Sequence, residues 1–144
     1  MSIRLVNSQT KTDAFNLPLD GSTAVTKGTI LYRDVTNKVG VVATSSEGDV
    51  ITLGYLAQET VESGATTVLV QPITRYDRVL CDCTANTATT QLLIAHALTD
   101  GGTINNTTSD VATTLGVFVA EEIVGEASEK LLSGYFNIIG QVTA

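Results

Sequence analysis

The sequence predicts a mainly β fold in a single small domain, and three observations support this. Thr, Val, Ala and Gly dominate the composition, and Thr and Val favour strands because branching at Cβ restricts χ1. Short apolar stretches alternate with turn signals such as Asp20-Gly21-Ser22 and Glu62-Ser63-Gly64. Hydrophobic residues make up 43% of the 144 residues, which is enough for the core of one small domain.

The chain contains the same pattern twice. Residues 53–70 read LGYLAQETVESGATTVLV, and residues 115–132 read LGVFVAEEIVGEASEKLL. In the first half we expect strands at Thr29 to Asp34, Val39 to Ala43, Ile51 to Gln58 and Thr67 to Gln71. Pro72 is expected to end this half, because proline cannot donate a hydrogen bond within a central strand.

The second half is expected to repeat this order with an insertion. Val79 to Thr84 matches Ile30 to Thr36, and Leu115 to Ala120 and Leu131 to Ile139 match the last two strands of the first half. Leu92 to Ala97 is an added apolar run, and Thr99 to Asp110 reads as a polar loop. Glu121 to Leu132 favours a bend or short helix, whereas its counterpart in the first half favours a tight turn.

Two copies are too few for a solenoid, so we expect two similar β-units facing one another in a small β-barrel or β-sandwich. At most one or two short helices are expected. The predicted organisation is an extended N-terminal arm at 1–19 and a single β-rich domain at 20–144. The internal repeat covers about 25–73 and 76–140.

Charge and hydropathy argue against several classes of partner. The net charge is −7, and no run of Lys or Arg occurs, so direct nucleic-acid binding is not expected. No apolar stretch approaches the length of a membrane helix or a signal peptide. We therefore expect a soluble protein made in a cytoplasm.

Cys81, Cys83 and His96 are the side chains most suited to chemistry. On a strand the two thiols point to one face, at a separation near the upper limit for a disulfide, and zinc would need about four ligands. The favoured interpretation is two small apolar side chains buried side by side, with His96 hydrogen-bonded and half-buried. We expect no enzymatic activity, no cofactor, no metal and no small-molecule substrate, although a metal or redox protein built on these residues stays an alternative.

The acidic side chains of the repeat are Glu59 in the first copy and Glu121 and Glu122 in the second. General acid–base pairs need two carboxylates held in different environments across a substrate. These residues instead occur where apolar alternation stops. We interpret them as solvated strand ends.

The segment Val25 to Asp34 resembles the Lys-Gly turn and following strand of tailed-phage capsid cement proteins. Leu53 to Val61, with Gly64 and Thr67 to Val70, is similar to their next segment. Leu115 to Glu122, followed by Ser133 to Phe136, resembles the lambda-type head-decoration proteins. The resemblance covers roughly residues 20 to 140 and consists of turns and strands without an active site.

This resemblance implies a β-tulip-like structural protein on the outer surface of a phage capsid, assembled in the host cytoplasm. Its expected partners are the major capsid protein and two further copies in a homotrimer that stabilises the expanded head. An N-terminal arm commonly contributes to capsid binding, so the candidate contact residues are Ile3, Leu5, Val6 and Phe15. The alternative is a virion-surface binding module, such as a head-fibre base or a host-glycan adhesin.

Overall fold

The computed structural model describes residues 3–7, 14–34, 36–43, 54–107 and 118–136. Strands dominate this part of the chain, and the helical residues form two short 3-10 helices, Thr89–Gln91 and Ala127–Glu129. The predicted mainly β fold is confirmed: a closed five-stranded barrel lies beside a second sheet. The strands are β1 Ile3–Asn7, β2 Phe15–Pro18, β3 Ile30–Arg33, β4 Gly40–Val42, β5 Gly54–Ala57, β6 Thr67–Ile73, β7 Arg78–Cys83, β8 Ala95–Asp100, β9 Thr103–Asn105, β10 Phe118–Ile123 and β11 Leu131–Phe136.

The first half of the chain forms an antiparallel sheet with the strand order β2-β6-β5-β3-β4. Pro72 was predicted to end this half. It lies near that end but still within β6, which continues to Ile73, and it pairs with Tyr55. The strand tolerates proline at this point because β2 pairs only as far as Val70. Within the described residues, no strand pairs with this edge of β6 beyond Val70, so no partner needs the missing N–H.

The second half forms the barrel, with the strand order β7-β11-β10-β8-β9. A parallel pairing of β7 with β9, through Asp82 with Thr103 and Cys83 with Ile104, closes it. The edge of β7 opposite β11 is shared, because β1 pairs with its N-terminal half and β9 with its C-terminal end. The range predicted as an extended arm therefore contributes β1 to the barrel sheet and β2 to the other sheet.

The two halves share one topology, but the strands correspond differently from the sequence comparison. The order β2-β6-β5-β3-β4 is repeated by β7-β11-β10-β8-β9, so β7 is the counterpart of β2 and β8 that of β3. The match of Val79 to Thr84 with Ile30 to Thr36 was wrong, because similar apolar runs do not reveal which strands pair. What was interpreted as an insertion is the strand pair β8 and β9, and the polar loop predicted at Thr99 to Asp110 contains β9.

Strand alternation places the first sheet between two apolar clusters. On β3, Ile30 faces the barrel core and Leu31 faces a second cluster with Leu17 and Val68. The barrel also reaches the first sheet through its β8–β9 turn, where the Ile30 amide donates to the Gly101 carbonyl at 2.7 Å. A Cβ on Gly101 would lie 2.5 Å from Thr29 Cγ2, so this close approach requires glycine.

Candidate functional site

Cys81 and Cys83 lie on β7 and point into the core, with exposures of 0% and 2%. They are free thiols, and the prediction of two small apolar side chains buried on one strand face is confirmed. Burial, together with a smaller contribution from the Asp82 carboxylate, raises the pKa of Cys83 to about 12. Burial also raises the pKa of Cys81 well above 9.0. Both thiols therefore stay protonated and shielded at neutral pH, which suits packing better than nucleophilic chemistry.

His96 lies on β8 and is 1% exposed, so it is buried more deeply than predicted. Its Nε2 lies 2.7 Å from the Gln91 carbonyl oxygen, which confirms the predicted hydrogen bond. β8 and β7 are not neighbours in the barrel, because β9 lies between them on one side. Within the described residues no group of three or more His, Cys, Asp or Glu side chains is arranged to hold a metal ion.

The acidic residues of the repeat are exposed, as predicted, but they have structural contacts. Glu59 follows β5, and its Oε1 accepts a hydrogen bond from the Leu69 amide at 2.9 Å. Glu121 and Glu122 lie within β10, at a register shift of its pairing with β11, and are not at the strand end. Glu121 pairs with Arg78 at 3.4 Å.

The four predicted contact residues lie in different environments. Ile3 is 1% exposed and belongs to the barrel core, and Leu5 packs against that core. Val6 lies on β1, and its side chain is outside the described part of the chain. Phe15 is 37% exposed at the start of β2, where the edge of its ring contacts Tyr55 at a centroid distance of 5.7 Å. Of the three whose side chains are described, Phe15 is the one that the structure presents at the surface.

A groove of about 420 Å³ lies between β1 and the first sheet. The buried residues Ile3, Leu56 and Ala57 form an apolar wall, and Gln58 and Gln71 add a polar part to the lining. The exposed side chains of Arg4 and Lys27 lie at its rim. The amide of Ile3 donates to the carbonyl of Gly28 at 2.8 Å, which fixes β1 against the turn that carries Lys27. Arg4 pairs with Asp82 at 3.6 Å. The groove therefore combines an apolar wall with a basic rim.

Asn106 is a structural residue that sequence analysis missed. It is 2% exposed, and its Oδ1 accepts from the Ala85 amide at 3.0 Å. Its Nδ2 lies within hydrogen-bonding distance of three oxygens, at 3.0 to 3.4 Å, on Ala85, Asn86 and Gln91. This side chain joins the loop after β7 to the end of β9. Nothing in the polar sequence Asn105-Asn106-Thr107 distinguishes a buried amide from a solvated one.

The fold and these environments define a mainly β protein with a duplicated sheet topology. No family model matches the chain, and no curated protein matches it. The described residues include no helix of the length and apolar character that crossing a membrane requires.

Proposed function

We propose that this protein is a structural virion protein that binds the outer surface of a tailed-phage capsid as a trimer and stabilises the expanded head. Its partner is the major capsid protein, and it acts by binding without catalysis. The resemblance of residues 20 to 140 to capsid cement proteins supports this proposal. The burial of Cys81, Cys83 and His96 also supports it, because the side chains best suited to chemistry contribute to the core.

The observation that carries the proposal is the exposed edge of β2, with Phe15 at its start. Within the described residues β2 is the terminal strand of its sheet and pairs only with β6. An extended capsid segment can add to such an edge through main-chain hydrogen bonds, while an aromatic side chain supplies an anchor. Pro18 ends the available edge, because it has no N–H to donate.

So short a contact gives weak binding for each protomer. Three protomers in one trimer raise the overall affinity through effective concentration, without any stronger individual contact. A protein that binds the expanded lattice and not its precursor stabilises the expanded state by mass action. A trimer can therefore stabilise the expanded capsid even though each protomer binds weakly.

The test is co-sedimentation with capsids that lack the protein, in both the unexpanded and the expanded form. Wild-type protein should bind expanded capsids and raise the temperature at which they rupture. Phe15→Ser should bind roughly tenfold more weakly or worse, because it removes the central aromatic anchor. Thermal unfolding of the free variant checks that it still folds.

Tyr76→Ser is the matched control, because Tyr76 is 62% exposed in the turn between β6 and β7 and belongs to neither β2 nor its edge. It removes an equally aromatic side chain and should leave capsid binding unchanged. A wild-type protein that neither binds expanded capsids nor changes their heat sensitivity would overturn the proposal. Binding to host glycans instead would support the surface-adhesin alternative.

A further inference from the structure

Leu93 is an exposed leucine in a strained backbone conformation. Its side chain is 76% exposed, and its φ of 64° lies in the left-handed region, which bulky residues rarely adopt. Its amide donates to the Ala120 carbonyl at 2.7 Å, and the adjacent Leu92 packs against the barrel core. The turn before β8 therefore fixes an apolar side chain that projects from the protein surface into solvent. We call this side chain the Leu93 knob.

Two acidic residues follow the backbone partner of the Leu93 knob on β10. Ala120, its hydrogen-bond partner, is followed directly by the exposed Glu121 and Glu122. Glu121 is already paired with Arg78. Among the described residues no ion pair includes Glu122, so this carboxylate is available to a cation on another molecule.

The groove beside β1 has the opposite character. Its lining combines an apolar wall with Gln58 and Gln71, and its rim carries Arg4 and Lys27. These are two of only eight basic residues in a chain with fifteen acidic ones, so the basic rim is a local exception on an acidic protein. Arg4 is paired with Asp82, whereas no ion pair of the described residues includes Lys27.

We propose that the Leu93 knob of one copy of this chain inserts into the groove beside β1 of a second copy, with Glu122 of the first pairing with Lys27 of the second. In this contact the exposed Leu93 side chain meets the apolar part of the groove lining, and the Glu122 carboxylate meets the Lys27 ammonium group. The contact joins two different surfaces of identical chains. Such a head-to-tail contact closes into a ring when the rotation between copies permits it.

Knob and groove lie apart on one protomer, so one chain does not fill its own groove. The groove flanks β1, on the edge of β7, whereas the knob precedes β8. In the barrel order, β8 is separated from β7 by β9 on one side and by β11 and β10 on the other. The inference rests on the trimer in the proposed function, for which it supplies the contact, but it does not use capsid binding.

The first experiment separates folding from association through Leu93→Asn. Asparagine tolerates the left-handed region better than leucine, so the variant monomer should be at least as stable as wild type in urea unfolding. In sedimentation velocity its self-association should be roughly tenfold weaker or worse, because the apolar anchor is lost. Tyr76→Ser is the control and should associate as wild type does.

The second experiment tests the ion pair and the direction of the contact. Lys27→Glu and Glu122→Lys should each weaken self-association, and the double variant should recover most of it, because the charges are then exchanged. A mixture of Leu93→Asn with Lys27→Glu should form a one-to-one heterodimer and no larger species. In that mixture one protein retains the groove and the other retains the knob, so a single contact can form.

A wild-type chain that stays monomeric at all concentrations would overturn this inference, even if that monomer bound capsids. Undiminished association of Leu93→Asn would overturn it as well. A mixture of the two variants that stays monomeric would exclude the head-to-tail contact. Loss of capsid binding by a protein that still forms the ring would instead count against the proposed function.

Discussion

Asn106 and Ala85 are joined by two hydrogen bonds of 3.0 Å, one in each direction. The Asn106 side chain accepts from the Ala85 amide and donates to the Ala85 carbonyl, as a neighbouring strand would. The Asn106 side chain therefore attaches the loop that follows β7 to the end of β9, the strand that closes the barrel. Closure of the barrel therefore depends on a buried polar side chain as well as on apolar packing.

Replacing Asn106 with Ala should lower the free energy of unfolding by about 3 kcal/mol. The substitution leaves the amide and the carbonyl of the half-buried Ala85 without these partners, and each such group costs about 1–3 kcal/mol. Urea unfolding followed by circular dichroism measures the effect. Asn105→Ala is the control and should cost less than about 1 kcal/mol, because among the described residues its Oδ1 accepts from the exposed Thr107 alone. Equal losses for the two variants would contradict the role of Asn106.

A second stability prediction concerns Gly134 on β11. A Cβ at this position would collide with the Val119 carbonyl on β10, and backbone cannot move aside without breaking the pairing of the two strands. Gly134→Ala should therefore cost more than about 2 kcal/mol. At Gly40 an added Cβ meets the Leu17 side chain at 2.6 Å, which a rotamer change can relieve. Gly40→Ala should be the milder variant in thermal unfolding, and the reverse order would contradict this account.

The buried thiols predict a loss of stability at alkaline pH. Burial raises the pKa of Cys83 from 9.0 to about 12 in the folded protein, whereas the unfolded chain ionises near 9.0. Between these values the unfolded state binds fewer protons, so the free energy of unfolding falls as pH rises. The slope should approach about 1.4 kcal/mol per pH unit for this thiol, and no such loss should occur below pH 9.0.

Cys83→Ala isolates the contribution of this thiol to the alkaline loss of stability. The variant should be less stable at neutral pH, because its core loses volume, but its stability should fall less steeply above pH 9.0. An unchanged slope in Cys83→Ala would contradict the assignment. Native-state reaction with a thiol reagent, which should be slow for both Cys81 and Cys83, provides a second check.

The Glu121–Arg78 ion pair should contribute little to stability. The pair measures 3.4 Å, and both side chains are more than one third exposed, so solvent screens the attraction. Glu121→Gln should change the free energy of unfolding by less than about 0.5 kcal/mol. Arg78→Ala should cost more, because Arg78 also donates to the Ser133 hydroxyl at 3.0 Å, and Ser133 is buried. A large loss for Glu121→Gln would show that this carboxylate has a role beyond the surface ion pair.

Several elements of the fold were predictable from local sequence. The apolar pattern located β3, β6 and β7 to within a few residues. On β7, and on β6 as far as Val70, every second side chain is buried, and β3 begins with two buried apolar residues, so each strand has a clear sequence signal. The same pattern placed Cys81 and Cys83 together in the core. The bend or short helix expected in the second copy is the 3-10 helix Ala127–Glu129.

Features that depend on distant pairing were not predictable. β9 has the sequence Thr-Ile-Asn within a polar segment, and it is a strand because β7 and β8 supply its partners. Pro72 lies in a strand because the neighbouring strand ends two residues earlier in the register. Leu93 belongs to an apolar run that predicts burial, yet the positive φ at this residue directs its side chain into solvent. The candidate surface residues were therefore harder to identify than the core.

The proposed function is tested most directly by quantitative mass spectrometry of purified tailed-phage virions that were assembled in the presence of this chain. The account predicts a copy number close to that of the major capsid protein, and loss of the chain from heads assembled with Phe15→Ser. Absence of the wild-type chain from virions, or only a few copies in each particle, would contradict it.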